Sequence, residues 1–278
     1  MSMGPTHAIS GLAAWSGVAV LGAAYDFGSF TAPAIVVGGA LATGAALLPD
    51  LDHPSSTVAR TFGAISKSMS AGINWLSHKI YRSTRTKKDS NRHGGHRGFT
   101  HTIVFAILAG LATTALIQLS HTYALPFVMF FFCGLAVRGL LHEWCPKRDA
   151  LTITLTSAGL SLLCWQWVNG APELAGACGL AVTIGCVAHF IGDAITEMGC
   201  PMMWPVPIAG KTWYPIAPPK IMRMKTGGKV ENMVVLPAFS LLALWFSVAA
   251  LQATGVMPWL GVDLLPWDTT PVEGIAKQ

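Results

Sequence analysis

The sequence predicts an all-α fold: a polytopic membrane helical bundle of about seven transmembrane helices, with an amphipathic interfacial helix beside it. Three observations carry this expectation. Apolar residues make up 52% of the 278 and charged residues only 11%, where a soluble domain carries about a quarter of charged residues. The mean hydropathy is +0.51. Seven apolar runs, at about 7–25, 31–49, 101–120, 123–142, 151–169, 174–193 and 233–252, reach or approach the roughly 20 helical residues that cross a hydrocarbon core of about 30 Å. So little charge cannot cover a water-soluble surface of this size, which excludes disorder and most soluble folds. The six cysteines form no CxxC pair and lie mostly inside apolar runs, which excludes a disulfide scaffold.

The first run, 7–25, has no Lys or Arg before it and is followed almost at once by a second, so it reads as a retained helix rather than a signal peptide. The second ends at Pro49, and a polar stretch occupies 50–100. Within that stretch Val58, Phe62, Ile65, Met69, Ile73, Leu76 and Ile80 recur at spacings of three and four, the pattern of an amphipathic helix over about 57–81. Such a helix can lie on the inner leaflet or cover the mouth of a site. The basic segment Tyr81–Arg97 suits attraction to lipid headgroups. Two further polar stretches, 143–150 and 194–232, alternate with short connections at 26–30, 121–122 and 170–173. Residues 1–252 thus read as one transmembrane domain, followed by a Pro-rich, mildly acidic tail at 253–278. Trp144, Trp204 and Trp213 are expected as anchors at the membrane interface.

All of the 18 basic residues except Lys277 lie in the three longer polar stretches or near that end of a span. The positive-inside rule therefore places these stretches and the N-terminus in the cytoplasm, and the C-terminal tail outside. That bias accounts for the basic charge without nucleic acid, which is not an expected partner. Membrane lipids are.

Nine histidines in so uncharged a chain require an explanation. With this topology His7, the turn Asp50-Leu51-Asp52-His53, the pair His96 and His101, and the pair His189 and Asp193 all fall at the cytoplasmic end of their spans. His189 and Asp193 are spaced i, i+4, so a helix stacks them on one face. Pro49 and Pro54 bracket the aspartates in an extended turn that can present oxygens to a metal. Ionisable groups beside transmembrane helices are costly and read as functional. Mixed His and Asp ligation suits zinc, manganese or iron, as one or two ions. His78 and His93 are expected in solvated loop, and His142 stands apart from the set.

At these residues the sequence resembles the YdjM family of membrane-bound metal-dependent hydrolases. The resemblance rests on His7, on Leu47-Leu48-Pro49-Asp50-Leu51-Asp52-His53-Pro54, on Gly95-His96-Arg97-Gly98-Phe99-Thr100-His101-Thr102, and on His189-Phe190-Ile191-Gly192-Asp193-Ala194-Ile195-Thr196. The segment Gly199-Cys200-Pro201-Met202-Met203-Trp204-Pro205 resembles that family's stretch downstream of the last metal motif. The likeness runs from about 4 to 220, interrupted by two additional helices at 123–170. A more distant similarity, by order of ligands, is to zinc-dependent phospholipases C.

The resemblance implies a hydrolase of a bacterial-type inner membrane acting at the cytoplasmic interface by metal-activated water. Its ligands would come from His7, Asp50, Asp52, His53, His101, His189 and Asp193. Asp52 or His96 would orient or deprotonate the water, and Arg97 would neutralise a phosphate or oxyanion. A phosphoester of a lipid or lipid-linked molecule is the preferred substrate, with a carboxylic ester or an amide open. A structural or regulatory protein with a helix-fastening metal is the first alternative, and a divalent-metal transporter the second. Reporter fusions after residues 90, 147 and 215 are expected to read cytoplasmic, and one after 270 extracytoplasmic. An outward reading at 90 would separate the ligands onto two membrane faces.

Overall fold

A computed structural model of the chain describes residues 3–28, 30–54, 56, 58–91, 94–119, 121–141, 150–169 and 171–255. His93, His142, most of the second polar stretch and the tail beyond 255 lie outside the described residues. The described chain is helical, with three isolated bridges in place of any sheet. Eight α-helices follow one another: α1 Gly4–Tyr25, α2 Ala32–Ala45, α3 Ala64–Thr84, α4 Ile103–Leu119, α5 His121–Leu141, α6 Ala150–Val168, α7 Leu174–Ala194 and α8 Leu236–Ala253.

Each of the seven expected apolar runs is a helix. Six of them, counting the short extensions Pro49–Asp52 after α2 and Glu231–Val235 before α8, are long and apolar enough to cross a membrane. The seventh, α4, is apolar over 17 residues. Local signals set the helix ends. Pro5 and Pro33 occupy first-turn positions, where the missing N–H costs nothing. The Thr31 hydroxyl accepts from Ala34 N–H at the start of α2, and Asp26 closes α1 in the left-handed region.

Helix α2 is the centre of the bundle. In its span 83% of the apolar window is buried, against 17% in that of α8. It packs on α1, α5 and α7, while α4 packs on α7, α6 on α5 and α8 on α1. Close approach of α4 and α7 depends on Gly110 and Gly179. A Cβ on either would lie 2.5 Å from the other's carbonyl oxygen, so the two backbones touch directly.

Helix α3 begins at Ala64, later than its apolar spacing predicts, and it faces the opposite way from a core helix. Its buried residues are Ser66, Ser70, Ser77 and Tyr81, whereas Ile65, Met69, Trp75 and Leu76 are exposed. The serine face packs on the turns Pro49–Asp52 and Phe99–His101, because only a narrow polar face can bond their backbone groups. Ser77 Oγ donates to Gly94 O at 3.1 Å and accepts from Phe99 N–H at 2.9 Å, and Asn74 Nδ2 donates to Asp52 O at 2.7 Å. Of the apolar stripe, Val58, Phe62 and Ile73 meet the bundle core, and Ile65, Met69 and Leu76 are left exposed. His78, expected in loop, lies half-buried on this helix.

The stretch between α7 and α8 folds back under the same end. Trp213 is 3% exposed, stacked on Trp204 and packed on Tyr81, and its indole N–H donates to Thr84. It is therefore part of a packed cap and not the interface anchor its residue type suggests. Asp89 accepts backbone N–H bonds from Thr86, Thr212 and Trp213. Burial pushes its carboxyl up, but those donors outweigh it and hold the pKa below 3.8.

The first turn of α1 is tied to α8 by Glu231, which is fully buried. One carboxylate oxygen accepts from Met3 N–H at 2.6 Å and the other from Gly227 N–H at 2.7 Å. Glu231→Ala is expected to remove both charge-assisted bonds at a cost of about 2–4 kcal/mol. The check is thermal unfolding of the purified protein in detergent, in which an unchanged melting temperature would refute the role.

Candidate metal centre

The start of α1, the end of α2, the turn before α4 and the end of α7 meet at one end of the bundle. They bring together His7, Asp50, Asp52, His96, His101, His189 and Asp193. Every one is buried except His96, whose side chain is 26% exposed.

The hydrogen bonds behind the rings assign the tautomers. His189 Nδ1 lies 2.7 Å from the Ala46 carbonyl oxygen, which can only accept, so the proton sits on Nδ1 and Nε2 presents a lone pair. Thr100 Oγ1 donates to Asp52 Oδ2 at 2.6 Å and so accepts from His101 Nδ1 at 2.9 Å. His101 is thereby held with its Nε2 turned inward. The two Nε2 atoms face each other at 3.3 Å.

Two carboxylates close around them. Asp50 Oδ1 is 3.9 Å from His101 Nε2 and 3.7 Å from His189 Nε2. Asp193 Oδ2 is 3.5 Å and 4.0 Å from the same atoms. Donors bonded to one tetrahedral zinc at about 2.0–2.1 Å lie roughly 3.3–3.4 Å apart, so these separations need only slight contraction. His7 stacks on His189 with centroids 3.9 Å apart, and its Nε2 is 3.4 Å from Asp193 Oδ1. Three overlapping triads result: His7 with Asp50 and His189, Asp50 with His96 and His101, and His101 with His189 and Asp193.

The donor set fits a divalent cation on two grounds. Among the described residues of the site, the buried carboxylates Asp50, Asp52 and Asp193 share a single guanidinium, that of Arg97, which reaches Asp193, and uncompensated buried charge is costly. Asp50 Oδ1 and both ring nitrogens of His7 are also buried with no hydrogen-bond partner, whereas buried polar groups ordinarily have one.

The remaining expected residues stand around this set. Asp52 has its oxygens committed to His96 Nδ1–H, at 2.7 Å, and to Thr100, so it orients the two histidines from behind. His53 packs its ring edge-on against His96 and joins none of the triads. Arg97, expected to face an anionic substrate, is 2% exposed. Its backbone is in the left-handed region at φ 50°, and its guanidinium bonds Asp193 Oδ2 at 3.0 Å and Gly199 O at 2.8 Å. Sequence reasoning missed Thr100 although it lies inside His96–His101, and it missed Asn74, for which no sequence signal exists.

The profile of the YdjM inner membrane protein family matches residues 1–145, just over half of the chain. The protein belongs to that family. No curated protein and no solved structure matches it. The match takes in His7, the aspartate turn and His96–His101. The sequence likeness to the YdjM family was expected to run on to about 220, but the profile stops before α7. His189 and Asp193, beyond the matched residues, join the cluster through packing. Membership and the apolar helices together make this a multi-pass membrane protein.

Proposed function

We propose that this protein is a membrane-embedded, metal-dependent hydrolase acting at the cytoplasmic face of the inner membrane on a phosphoester of a lipid or lipid-linked substrate. The observation that carries the reading is the facing pair of Nε2 atoms, 3.3 Å apart, ringed by buried carboxylates. His101, His189, Asp50 and Asp193 would hold the ion, zinc first and manganese or iron next. His7, in a triad with Asp50 and His189, extends the donors toward a second ion. When bound, such an ion polarises the scissile group and makes water nucleophilic near neutral pH.

The chain's own residues have separable parts. His96 donates Nδ1–H to Asp52, which leaves Nε2 as the atom that takes a proton from the attacking water and returns it to the leaving oxygen. Its partial exposure suits that exchange. Thr100 and Ala46 O fix the ring planes of His101 and His189, and Arg97 positions Asp193.

A helix-fastening metal would also draw its donors from several elements. It has no need of a partly exposed His96 backed by Asp52, nor of the cavity that ends at His7. Transport is disfavoured because the donors gather at one end of the bundle, not at its midplane.

The test is metal analysis of purified protein combined with hydrolysis of a phosphoester, ester and amide panel. Wild type is expected to carry metal and to cleave a phosphoester, with activity lost to chelation and restored by zinc. Asp193→Ala and His101→Ala should lose metal. His96→Gln should keep most of it and lose about 10²-fold in rate, the scale of a general base. Metal-replete wild type that cleaves nothing in lipid would leave only the fastening role.

A further inference from the structure

We propose that the cleft between α1, α7 and α8 holds the hydrocarbon chain of an amphiphile whose polar head sits at His7. This rests on the hydrolase reading for the chemistry of the head, and the cleft itself is a separate observation. Helix α8 leans on α1, where Ser16 and Ser247 share a hydrogen bond of 2.8 Å and Ala249 and Ala250 pack with Ala19 and Val20. Between α7 and α8 this leaves a cavity of about 220 Å³. Its walls are Ala13, Ala14, Phe239, Leu242 and Phe246, with Ile191, 53% exposed, on the rim.

Close-packed interiors rarely keep such a space, and an apolar cavity of about 150 Å³ already takes up a hydrocarbon ligand. These walls belong to membrane-spanning helices, with Ile195 and Met224 completing the lining just outside them, so the solvent along the walls is lipid chain. At 1.5 Å per residue, the cavity runs about 10 Å along α1 from His7 to Ala14, and about 16 Å along α8 from Val235 to Phe246. It lies parallel to the helices, as a lipid chain does.

The inner end differs from the walls. Thr6 and His7 line it, and Thr6 Oγ1 and the ring nitrogens of His7 are fully buried there with no hydrogen-bond partner. Next to them is the donor set, His7 Nε2 being 3.4 Å from Asp193 Oδ1. A polar head is thus satisfied where the chain's burial ends, which selects an amphiphile and not a plain hydrocarbon. The open side between α7 and α8 lets it arrive laterally from the leaflet.

The probe is a lysophosphatidic acid bearing a diazirine in its tail, added to the full-length protein in phospholipid vesicles, photolysed, and mapped by peptide mass spectrometry. Labelling is expected to concentrate on peptides from α1 and α8 that line the cleft. Ala14→Phe, which fills the cavity, and Ile191→Trp, which narrows its exposed rim at little folding risk, should each reduce that labelling severalfold and leave labelling of α5 and α6 unchanged. In parallel, both variants should keep metal and hydrolysis of the water-soluble bis(p-nitrophenyl) phosphate while losing turnover of the long-chain phosphoester. Labelling spread evenly over all helices, or unmoved by both variants, overturns the cleft. Cleft labelling with no hydrolysis of any substrate supports the cleft and overturns the hydrolase reading alone.

Discussion

Three buried carboxylates at the end of a membrane bundle must be neutralised, and the surrounding structure depends on how this is done. Arg97 answers part of the charge by reaching Asp193. The rest falls to imidazoles whose outward nitrogens are already bonded, to Ala46 O and to Thr100. With those protons turned away, the inward faces of His101 and His189 are both basic and sit 3.3 Å apart. A single proton satisfies one such contact and leaves the adjoining oxygens of Asp50 and Asp193 facing each other's charge. A divalent cation would satisfy all of them at once, which supports the proposed metal centre over a network of hydrogen bonds.

That geometry depends on backbone packing some distance from the ligands. His101 stands at the start of α4 and His189 near the end of α7, so their separation is set by how closely the two helices approach. The reciprocal contact of Gly110 and Gly179 fixes that approach a few turns away. Helix α2, the most buried of the spans, delivers Asp50 just past its end, and Glu231 ties the first turn of α1 to the start of α8. In a bilayer the packing of small residues and satisfied polar contacts, not hydrophobic burial, holds helices together. The same features that stabilise the bundle therefore also place the donors.

The surroundings of the site divide into a polar cap and an apolar side. The serine face of α3, together with Asp89 and Trp213 in the folded-back stretch, covers the donors from the water side. The cleft between α7 and α8 approaches them from the lipid side and ends at His7. A site covered on one side and open laterally on the other is suited to a molecule that already resides in the leaflet.

The class of fold was legible in the sequence because it is set by solvent: long apolar runs in a chain with little charge can only be satisfied in hydrocarbon. The gathering of His7, Asp50, His101, His189 and Asp193 at one end was legible for a related reason, since antiparallel spans of fixed length alternate their ends. Which of those groups point at one another was not. Asp52 and Asp50 are two residues apart in one turn, yet Asp52 backs the histidines while Asp50 faces between them, and only the packed turn decides this. The motif suggested that Arg97 meets an anionic substrate, but the left-handed backbone at that residue carries it inward to Asp193. Helix α3 has an apolar stripe of helical period, but period does not say whether a stripe meets protein or lipid. Its serines found the backbone of two turns, Val58, Phe62 and Ile73 met the core, and Ile65, Met69 and Leu76 were left outside. Periodicity and charge bias are properties of single segments and can be read one at a time. Tautomers, the orientation of carboxylates and the cleft between α7 and α8 are properties of pairs of segments, and they exist only after the helices have packed.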